Sequence, residues 1–582
     1  MLTVPEVKEA YKDFYKITEA IAAQRKIDPF DKVPFLALEN VEQRVEINVK
    51  LAEAHFNIHE FDQAELLITR AFVLSDFSEE ILPVVIKIAQ KTGNIPAIKF
   101  AYKRIGIKLF REGKIAKALS MFNEWQYAYF PQSGIDRYEH DYEIQNTIDL
   151  FCSEHRTDQR FKKIPAGPGK MKIGYLLVHF LDPGSVLIKL DKLFVEYHDK
   201  EKFDITYFVM EQKTTVFASA HGRQLDKFFT DHGCSVVYMD IPGSKDAALF
   251  NFAEKIGKCN LNIFITNAVL ANFEHYFIAS FKPASLLLAV VHGPVAQYVT
   301  NIFDHAISSY HAQTVDVPCN CTQVNIELKP EDMQIEQVPK KPFDHIPGNS
   351  VVLICGGRTI KFRDKRYWAS LLNILLKYPN ASLFIIGFKK EQYPFPELLI
   401  GETEKRISFF EWTVDYLSII KQGHIYIDSY PVGGGVFMIE AMRAGLPPVY
   451  FEHDYYKYFT GEEGSGGQQL VGIPDLCIPR ENFDEFEKKV GHLIENREER
   501  NRFGEICKQK ILAEISEPAR MVKRYEAVYL KLISDGLTKQ VPAYPKNSGG
   551  KEPDLFMNLD FSTMIRYFAR SLRLRLVRKL RG

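Results

Sequence analysis

Residues 428–449, DSYPVGGGVFMIEAMRAGLPPV, combine the residue types best suited to chemistry in this chain. They predict the end of a buried strand, a glycine turn at 433–435 and a short helix that carries Glu440. Glycines let backbone N–H groups approach a ligand closely, and the N-terminus of a helix attracts anions. Glu440 lies further along the helix, where it faces a neutral donor such as a ribose hydroxyl. The segment therefore indicates a nucleotide-sugar site.

A second group of chemically useful residues lies in the segment CGGRTIKFRDKRYW. Arg358, Lys361 and Arg363 follow a glycine pair at the C-terminal end of a predicted strand. A diphosphate leaving group gains charge as the glycosidic bond breaks, so cations aimed at it stabilise the transition state more than the ground state. We expect these cations to face the same cleft as the glycine turn. A solvated surface charge is the alternative for each of them taken alone.

Candidates for the acceptor side follow strands nearer the N-terminus. His179 and Asp182 come after the strand MKIGYLLVHF, and an acceptor must lose a proton as it attacks the anomeric carbon. Either residue is a candidate general base, with a structural role for the histidine left open. His292 follows a later strand and is a candidate for holding the acceptor or a phosphate. A plain strand-ending turn is its alternative.

A resting place for the nucleotide base is predicted at Trp412 and Thr413, in the short loop after the strand RISFFEW. A core or rim position is the alternative for the tryptophan. The sequence has no Asp-X-Asp pair at a strand end and no divalent-metal spacing. It also lacks GxGxxG and GxxxxGK[ST] motifs at the required strand-to-helix position. We therefore expect no metal and no cofactor, with a nucleotide-diphosphate sugar as the substrate.

These residues must be positioned by two α/β units that follow a helical head. The head carries a weak repeat close to the roughly 34-residue tetratricopeptide (TPR) period, with an ordinary helical bundle as the alternative. Beyond it, short apolar strands alternate with helices in two series, which predicts two parallel sheets with a cleft between them. The predicted domains are a helical TPR-like domain at 1–160, an acceptor-side Rossmann-like domain at 171–345, a nucleotide-sugar-binding Rossmann-like domain at 346–535, and a linker with a basic helix at 537–582.

The C-terminal segment 561–582 differs from the rest of the chain. It contains Arg and Lys without any acid, and its apolar residues fall on one helical face. A basic amphipathic helix at a chain terminus indicates reversible attachment to an anionic membrane surface. A helix docked on the protein itself, or a disordered tail, is the alternative.

Bulk composition excludes several other classes. The chain has 582 residues and equal numbers of basic and acidic side chains, 74 each, so no overall charge favours a nucleic-acid partner. Its eight cysteines lack metal-ligand spacing apart from the pair Cys319 and Cys321, which predicts thiols in a reducing cytoplasm. The first residues lack the apolar core of a signal peptide, and we predict no transmembrane helix. We expect a cytoplasmic protein, peripheral on the inner membrane face if its basic helix binds there.

Three segments of the sequence resemble motifs of a known family. IDSYPVGGGVFMIEAMRAGLPPV resembles the donor-site signature of tetratricopeptide-linked glycosyltransferases, which include the O-linked N-acetylglucosamine transferases and the bacterial cytoplasmic adhesin N-glycosyltransferases. LLVHFLDPGS resembles the first-strand histidine loop of the bacterial enzymes, and KPASLLLAVVHGPV resembles a family segment with a Pro-Ala-Pro-Ile-Gln run and a Gly-His-Pro turn. Order and spacing agree over roughly residues 170–535.

The resemblance implies roles for individual residues. Lys361 or Arg363 would contact the donor diphosphate, Gly434, Gly435 and Val436 would offer backbone donors, and Glu440 would take the place of the ribose-binding aspartate. The chain departs from the family where Gly435-Val436-Phe437 replaces threonine or asparagine donors, and where His292-Gly293 reverses the family order.

The sequence thus predicts an α/β protein with a GT-B arrangement of two Rossmann-like domains and an N-terminal all-α TPR-like domain. The function it predicts is a glycosyltransferase of the hexosyltransferase type. Such an enzyme would move a sugar, first of all from a UDP-sugar, to a protein side chain or a glycan by metal-independent transfer, which the resemblance implies to be inverting. The alternative is a catalytically inert GT-B-fold scaffold that binds proteins through its helical repeats.

Overall fold

Two parallel sheets organise the α/β part of the chain. The computed structural model describes residues 41–127, 141–156, 169–177, 180–182, 185–241, 243–266, 272–291, 302–309, 320–329, 350–362, 364–399, 401–411, 416–431, 433–452 and 471–535. The strands are β1 (Met171–Leu177), β2 (Phe203–Val209), β3 (Ser235–Tyr238), β4 (Leu261–Thr266), β5 (Ala284–Val291), β6 (His305–Ser308), β7 (Asn320–Gln323), β8 (Val351–Gly356), β9 (Ala381–Ile386), β10 (Ile407–Phe410), β11 (Ile425–Ile427), β12 (Pro448–Phe451) and β13 (Cys477–Ile478).

The strand order of each sheet is that of a doubly wound fold. Within the described residues the first sheet runs β3-β2-β1-β4-β5-β6-β7 and the second β10-β9-β8-β11-β12-β13. Every pairing is parallel. The strands β8 and β9 are buried along their whole length, as expected for strands covered by helices on both faces. The prediction of two Rossmann-like units is confirmed.

Helices form the head and cover the sheets. Those of the head are α1 (Val41–Asn57), α2 (Phe61–Leu74), α3 (Leu82–Thr92), α4 (Ile95–Arg111), α5 (Ile115–Tyr127) and α6 (Tyr142–Arg156). Those of the first unit are α7 (Val186–Tyr197), α8 (Lys213–Ala218), α9 (Ala220–Asp231), α10 (Lys245–Gly257) and α11 (Phe273–Ser280). Those that follow are α12 (Lys365–Lys377), α13 (Gly401–Glu404), α14 (Tyr416–Ile420), α15 (Val436–Arg443), α16 (Phe483–Glu495), α17 (Arg497–Glu514) and α18 (Pro518–Ser534).

The described part of the head is built from neighbouring helices that pack in sequence, α1 with α2 and α4 with α5. A Cβ on Gly106 of α4 would come within 2.5 Å of the Phe122 ring of α5, so glycine permits this close approach. The last copy of the repeat in the sequence, at Gly106, Leu109, Ala118, Phe122 and Trp125, does not form a new helix pair. It spans α4 and α5, and α4 is shared with the preceding set. The domain limits remain predictions, since segments 157–168 and 330–349 lie outside the described residues.

The head packs directly against the first unit. All residues of α11 are buried, and its Tyr276 hydroxyl donates to both carboxylate oxygens of Asp149 on α6, at 2.8 and 2.9 Å. Ser280 adds a third hydrogen bond to the same carboxylate at 2.8 Å. Because Asp149 is itself buried, this network joins the two parts in the interior.

The helix α18 returns to the first unit. Tyr529 on α18 shares a hydrogen bond of 3.0 Å with Tyr175 on β1. Glu526 accepts from the backbone N–H of Asp199 at 2.8 Å and pairs with the His198 ring at the same distance. The last described helix of the chain therefore completes the first sheet's cover. Among the helices that the structure describes, none is both long and apolar enough to cross a membrane.

Candidate functional site

The candidate site lies where the strand order of the second sheet reverses. That reversal falls between β8 and β11, which are neighbours in the sheet although β9 and β10 separate them in the chain. Open parallel sheets bind ligands beyond the carboxyl ends of the strands at such a point. Arg358 and Lys361 follow β8, and the glycine turn follows β11. The topology therefore brings together the two segments that the sequence predicts to bind the donor.

Lys361 reaches across from one segment to the other. Gly357, at φ +156°, turns the chain out of β8 in a conformation that favours glycine, and a short 3₁₀ helix at Thr359–Phe362 follows. The Lys361 ammonium donates to the carbonyl of Gly433 at 2.9 Å. Burial lowers the pKa of Lys361, and the positive charge of Arg358 lowers it further, while Asp428 opposes both. The ammonium thus lies against the glycine turn.

Asp428 sets the shape of that turn. Its side chain is buried, and Oδ1 accepts from the N–H of Gly434 at 2.7 Å, from the N–H of Ser429 at 3.0 Å and from the Tyr426 hydroxyl at 2.8 Å. Burial raises the pKa of Asp428 to about 6, although these hydrogen bonds and Lys361 oppose the shift. The resemblance implies that Gly434 offers its N–H to a phosphate. In the structure that N–H has an internal acceptor instead.

The backbone N–H groups in the first turn of α15 are those that the sequence predicts to bind a phosphate. Gly435 is its N-cap residue, and Ile439 makes the first N–H bond back to the carbonyl of Gly435. The N–H groups before Ile439 have no acceptor within the helix, as at every helix N-terminus. The side chains of Val436 and Phe437 are buried, and a Cβ on Gly356 would lie 2.4 Å from the Phe437 ring. Side chains at these positions therefore face the core, and only the backbone is available to a phosphate.

Glu440 is buried on α15, and its partners come from two directions. Its Oε1 accepts from Lys189 on α7 of the first unit at 2.7 Å and from the Tyr416 hydroxyl on α14 at 2.5 Å. Lys189 also contacts the Tyr416 hydroxyl and lies 4.4 Å from the centre of its ring. The residue predicted to bind ribose is thus held by a contact between the two units.

Asp182 and Arg358 form a second contact across the cleft. Arg358 donates to Asp182 Oδ2 at 3.3 Å, and both side chains are exposed to solvent in part. A predicted general base and a predicted diphosphate ligand are therefore neighbours. The other predicted site residues, His179, His292, Arg363, Trp412 and Thr413, lie outside the described residues.

Comparisons with known proteins address the fold. No model of a known protein family matches the chain, and no curated protein sequence does. Among solved structures, an O-GlcNAc transferase mutant from Thermobaculum terrenum matches with a TM-score of 0.54 and 14% identity, over 92% of this chain and 99% of that one. The chain has the GT-B fold. A glycosyltransferase from Rickettsia africae (TM-score 0.46, 12% identity, 63% and 99% coverage) and HepE from Anabaena, solved with UDP and glucose (0.45, 13%, 62% and 99%), match less well.

The GT-B cleft contains functional candidates that the sequence argument missed. Asp428 was passed over although a carboxylate at the end of a parallel strand, directly before a glycine turn, is a recognisable signal. Lys189 stands as the single charged residue in the run Val186–Leu190, which is a weaker signal for a helix face that meets a partner. Tyr416 carries no such signal in the sequence, because it meets its partners only in the folded protein.

A shallow cavity of about 550 Å³ lies beside the GT-B cleft at the carboxyl ends of β9 and β10. Its lining includes Lys389, Phe409, Glu411 and Ile419. Glu411 directly precedes Trp412 and Thr413 in the chain, where the sequence predicts the nucleotide base to bind. In the described part of the chain, no group of three or more His, Cys, Asp or Glu side chains is arranged to hold a metal ion.

Proposed function

We propose that this protein is a glycosyltransferase that uses a nucleotide-diphosphate sugar. The observation that carries the proposal is the convergence of Arg358, Lys361 and the N-terminus of α15 at the switch point of the second sheet, opposite Asp182 of the first unit. Cations and the backbone N–H groups of a helix N-terminus at this place fit a diphosphate. The GT-B fold shared with an O-GlcNAc transferase over most of the chain supports the same conclusion.

In the proposed mechanism the acceptor attacks the anomeric carbon while the bond from that carbon to the diphosphate breaks. Charge then develops on the leaving diphosphate, where Lys361, Arg358 and the helix N-terminus stabilise it. Asp182 or His179 takes the proton from the acceptor. Attack from the face opposite the leaving group inverts the anomeric configuration. The transfer needs no metal or other cofactor in this proposal, because the protein cations neutralise the leaving group.

The acceptor is proposed to be a polypeptide side chain or a glycan. The head would recruit or orient it, and the buried Asp149 network supports this role because it holds the head against the acceptor-side unit. The O-linked transferases that the motifs resemble act on protein acceptors. Incubation with donor, followed by mass spectrometry of peptides and of glycans, separates the two acceptors.

The test of the donor is hydrolysis and transfer across a panel of UDP-, GDP- and CMP-sugars. We expect one diphosphate donor to be consumed, with UDP-sugars first, and calorimetry to show nucleotide affinity that falls in Lys361→Ala and Glu440→Ala. If the wild-type protein has no measurable nucleotide affinity, the alternative of an inert GT-B scaffold that binds proteins through its head replaces this proposal.

Attachment of residues 561–582 to an anionic membrane surface is a separate proposal. It rests on the basic, one-faced pattern of that segment, which lies outside the described residues. A cytoplasmic location on the inner membrane face would follow from it. Flotation with phosphatidylserine vesicles should retain the full chain and lose a chain that ends before Phe561. Equal retention of both would exclude this role.

A further inference from the structure

The contact between Lys189 and Glu440 joins two parts of the chain that are 251 residues apart in sequence. We propose that Lys189 of the first unit is a positioning residue for nucleotide binding in the second unit. It holds the Glu440 carboxylate in the orientation that accepts the ribose hydroxyls, so ribose recognition depends on how the two units meet. This inference rests on the proposed function, because it assumes that Glu440 faces the ribose of a nucleotide donor.

The burial of Glu440 is the first reason for this assignment. Its side chain is 7% exposed, and a buried carboxylate is unfavourable unless charged or hydrogen-bonding partners compensate it. The Lys189 ammonium, 30% exposed, supplies that charge at 2.7 Å. Since the cation belongs to the first unit, the carboxylate of the second unit depends on its neighbour.

The second reason is that Glu440 also accepts from a tyrosine that is fixed by aromatic packing. Tyr416 donates to the same oxygen, Oε1, and its ring stacks on Phe437 at 6.0 Å with an angle of 21° between the planes. Phe437 in turn occupies the space left by the missing side chain of Gly356. With Tyr416 fixed by packing, Lys189 adds a second donor to the same oxygen and so favours one orientation of the carboxylate.

A second set of contacts fixes the position of α7 relative to α15. Glu196 lies two helical turns beyond Lys189 on the same face of α7, and it pairs with Lys329. The carbonyl of Lys329 accepts from Arg443 at 2.6 Å, and Arg443 lies one turn beyond Glu440 on α15. Two separate contacts therefore fix the same two helices relative to each other. A rotation of one unit would break both.

The test compares probes that do and do not contain ribose. UDP, GDP and inorganic pyrophosphate are titrated by calorimetry into the full chain and into Lys189→Met, a neutral side chain of similar length. We expect the Met variant to bind the preferred nucleotide about tenfold more weakly, as for the loss of one charge-assisted hydrogen bond. Its pyrophosphate affinity should stay within about twofold, since Arg358, Lys361 and α15 remain.

Further variants separate positioning from a structural role. Lys189→Arg should restore most of the nucleotide affinity, and Glu440→Gln should lower it by itself but add little in the Lys189→Met background. Tyr416→Phe removes one hydroxyl only and should give a smaller, ribose-dependent loss even if the Met variant folds poorly. Lys192→Met, three residues along α7, is the matched control and should bind as wild type.

Two results would overturn the inference while leaving the proposed function standing. One is a wild-type protein that binds nucleotide and a Lys189→Met variant that binds it equally well. The other is an equal loss of nucleotide and pyrophosphate affinity, which would place Lys189 against the phosphates. If the wild-type protein binds none of the three probes, the proposed function itself fails.

Discussion

At the scale of single residues, one buried carboxyl group organises the candidate donor site. Asp428 accepts two backbone N–H groups and a tyrosine hydroxyl, and it lies close enough to Lys361 for their charges to interact. The glycine turn therefore has a defined shape before any ligand binds. Preorganisation of this kind lowers the cost of binding an anion.

The raised pKa of Asp428 predicts a pH dependence of stability. The ordinary value is 3.8 and the folded value about 6, so the protonated form favours the fold. Its contribution is fully present below about pH 4 and is lost as the pH rises through 6. The shift of about 2 units corresponds to roughly 3 kcal/mol. Asp428→Asn keeps the acceptor oxygen, so urea unfolding between pH 4.5 and 8 should show a smaller loss of stability in this variant.

The exposed Asp231→Asn serves as the control for that experiment, since its carboxylate pairs with Lys227 at the surface. The free energy of unfolding of this variant should depend on pH as that of the wild type does. Parallel curves for wild type and Asp428→Asn would contradict the assignment of this pH dependence to Asp428.

Lys361→Met should weaken the binding of both nucleoside diphosphate and pyrophosphate, by about tenfold or more. The ammonium is partly buried against the glycine turn, where a charge-assisted hydrogen bond to phosphate is stronger than at the surface. Calorimetry with both ligands measures the effect. Lys405→Met, a change of an exposed lysine paired with Glu402, should leave both affinities unchanged. Loss of affinity for the nucleotide alone would contradict a phosphate role for Lys361.

At the scale of elements, the position of α15 depends on the absence of a side chain on β8. Gly356 and Phe437 are complementary, because a methyl group on the glycine would overlap the phenylalanine ring. Gly356→Ala should destabilise the fold by roughly 1–3 kcal/mol through overpacking and should lower nucleotide affinity by shifting the helix N-terminus. The double variant with Phe437→Leu should recover much of both losses. Thermal unfolding and calorimetry measure them, and a lack of any recovery would locate the damage elsewhere.

The sequence predicted most of these elements but not their long-range contacts. Every predicted strand of the two units is found, because buried parallel strands are long apolar runs with a clear signal. The strands β6, β7 and β13 were not predicted, since HAIS and NCTQ mix polar with apolar residues and β13 has only two residues. Arg358 and Lys361 could be placed from their strand ends alone. The partners of Glu440 could not, because Lys189 and Tyr416 meet it only when the two units come together.

At the scale of the whole molecule, the head and the first unit share one interior. Asp149→Ala would leave the hydroxyls of Tyr276 and Ser280 without their buried acceptor. We expect a loss of about 2–4 kcal/mol in the free energy of unfolding. Nucleotide affinity should stay unchanged, since the hydrogen bonds between Asp149, Tyr276 and Ser280 do not involve the second unit. Urea unfolding measures the effect, and the exposed Asp204→Ala is the control. A wild-type value for Asp149→Ala would show that this network does not contribute to holding the head.

The return of α18 to the first unit has a consequence for co-translational folding. Tyr175 and His198 are synthesised early, whereas Tyr529 and Glu526, which complete their hydrogen bonds, emerge more than 300 residues later. The second unit, which lies between them in the chain, can fold as it emerges from the ribosome. The first unit stays incomplete until α18 has been synthesised and can pack against it. We therefore expect protease to cleave the first unit of a nascent chain that is halted before Pro518. A nascent chain that extends past Ser534 by the length of the exit tunnel should resist this cleavage.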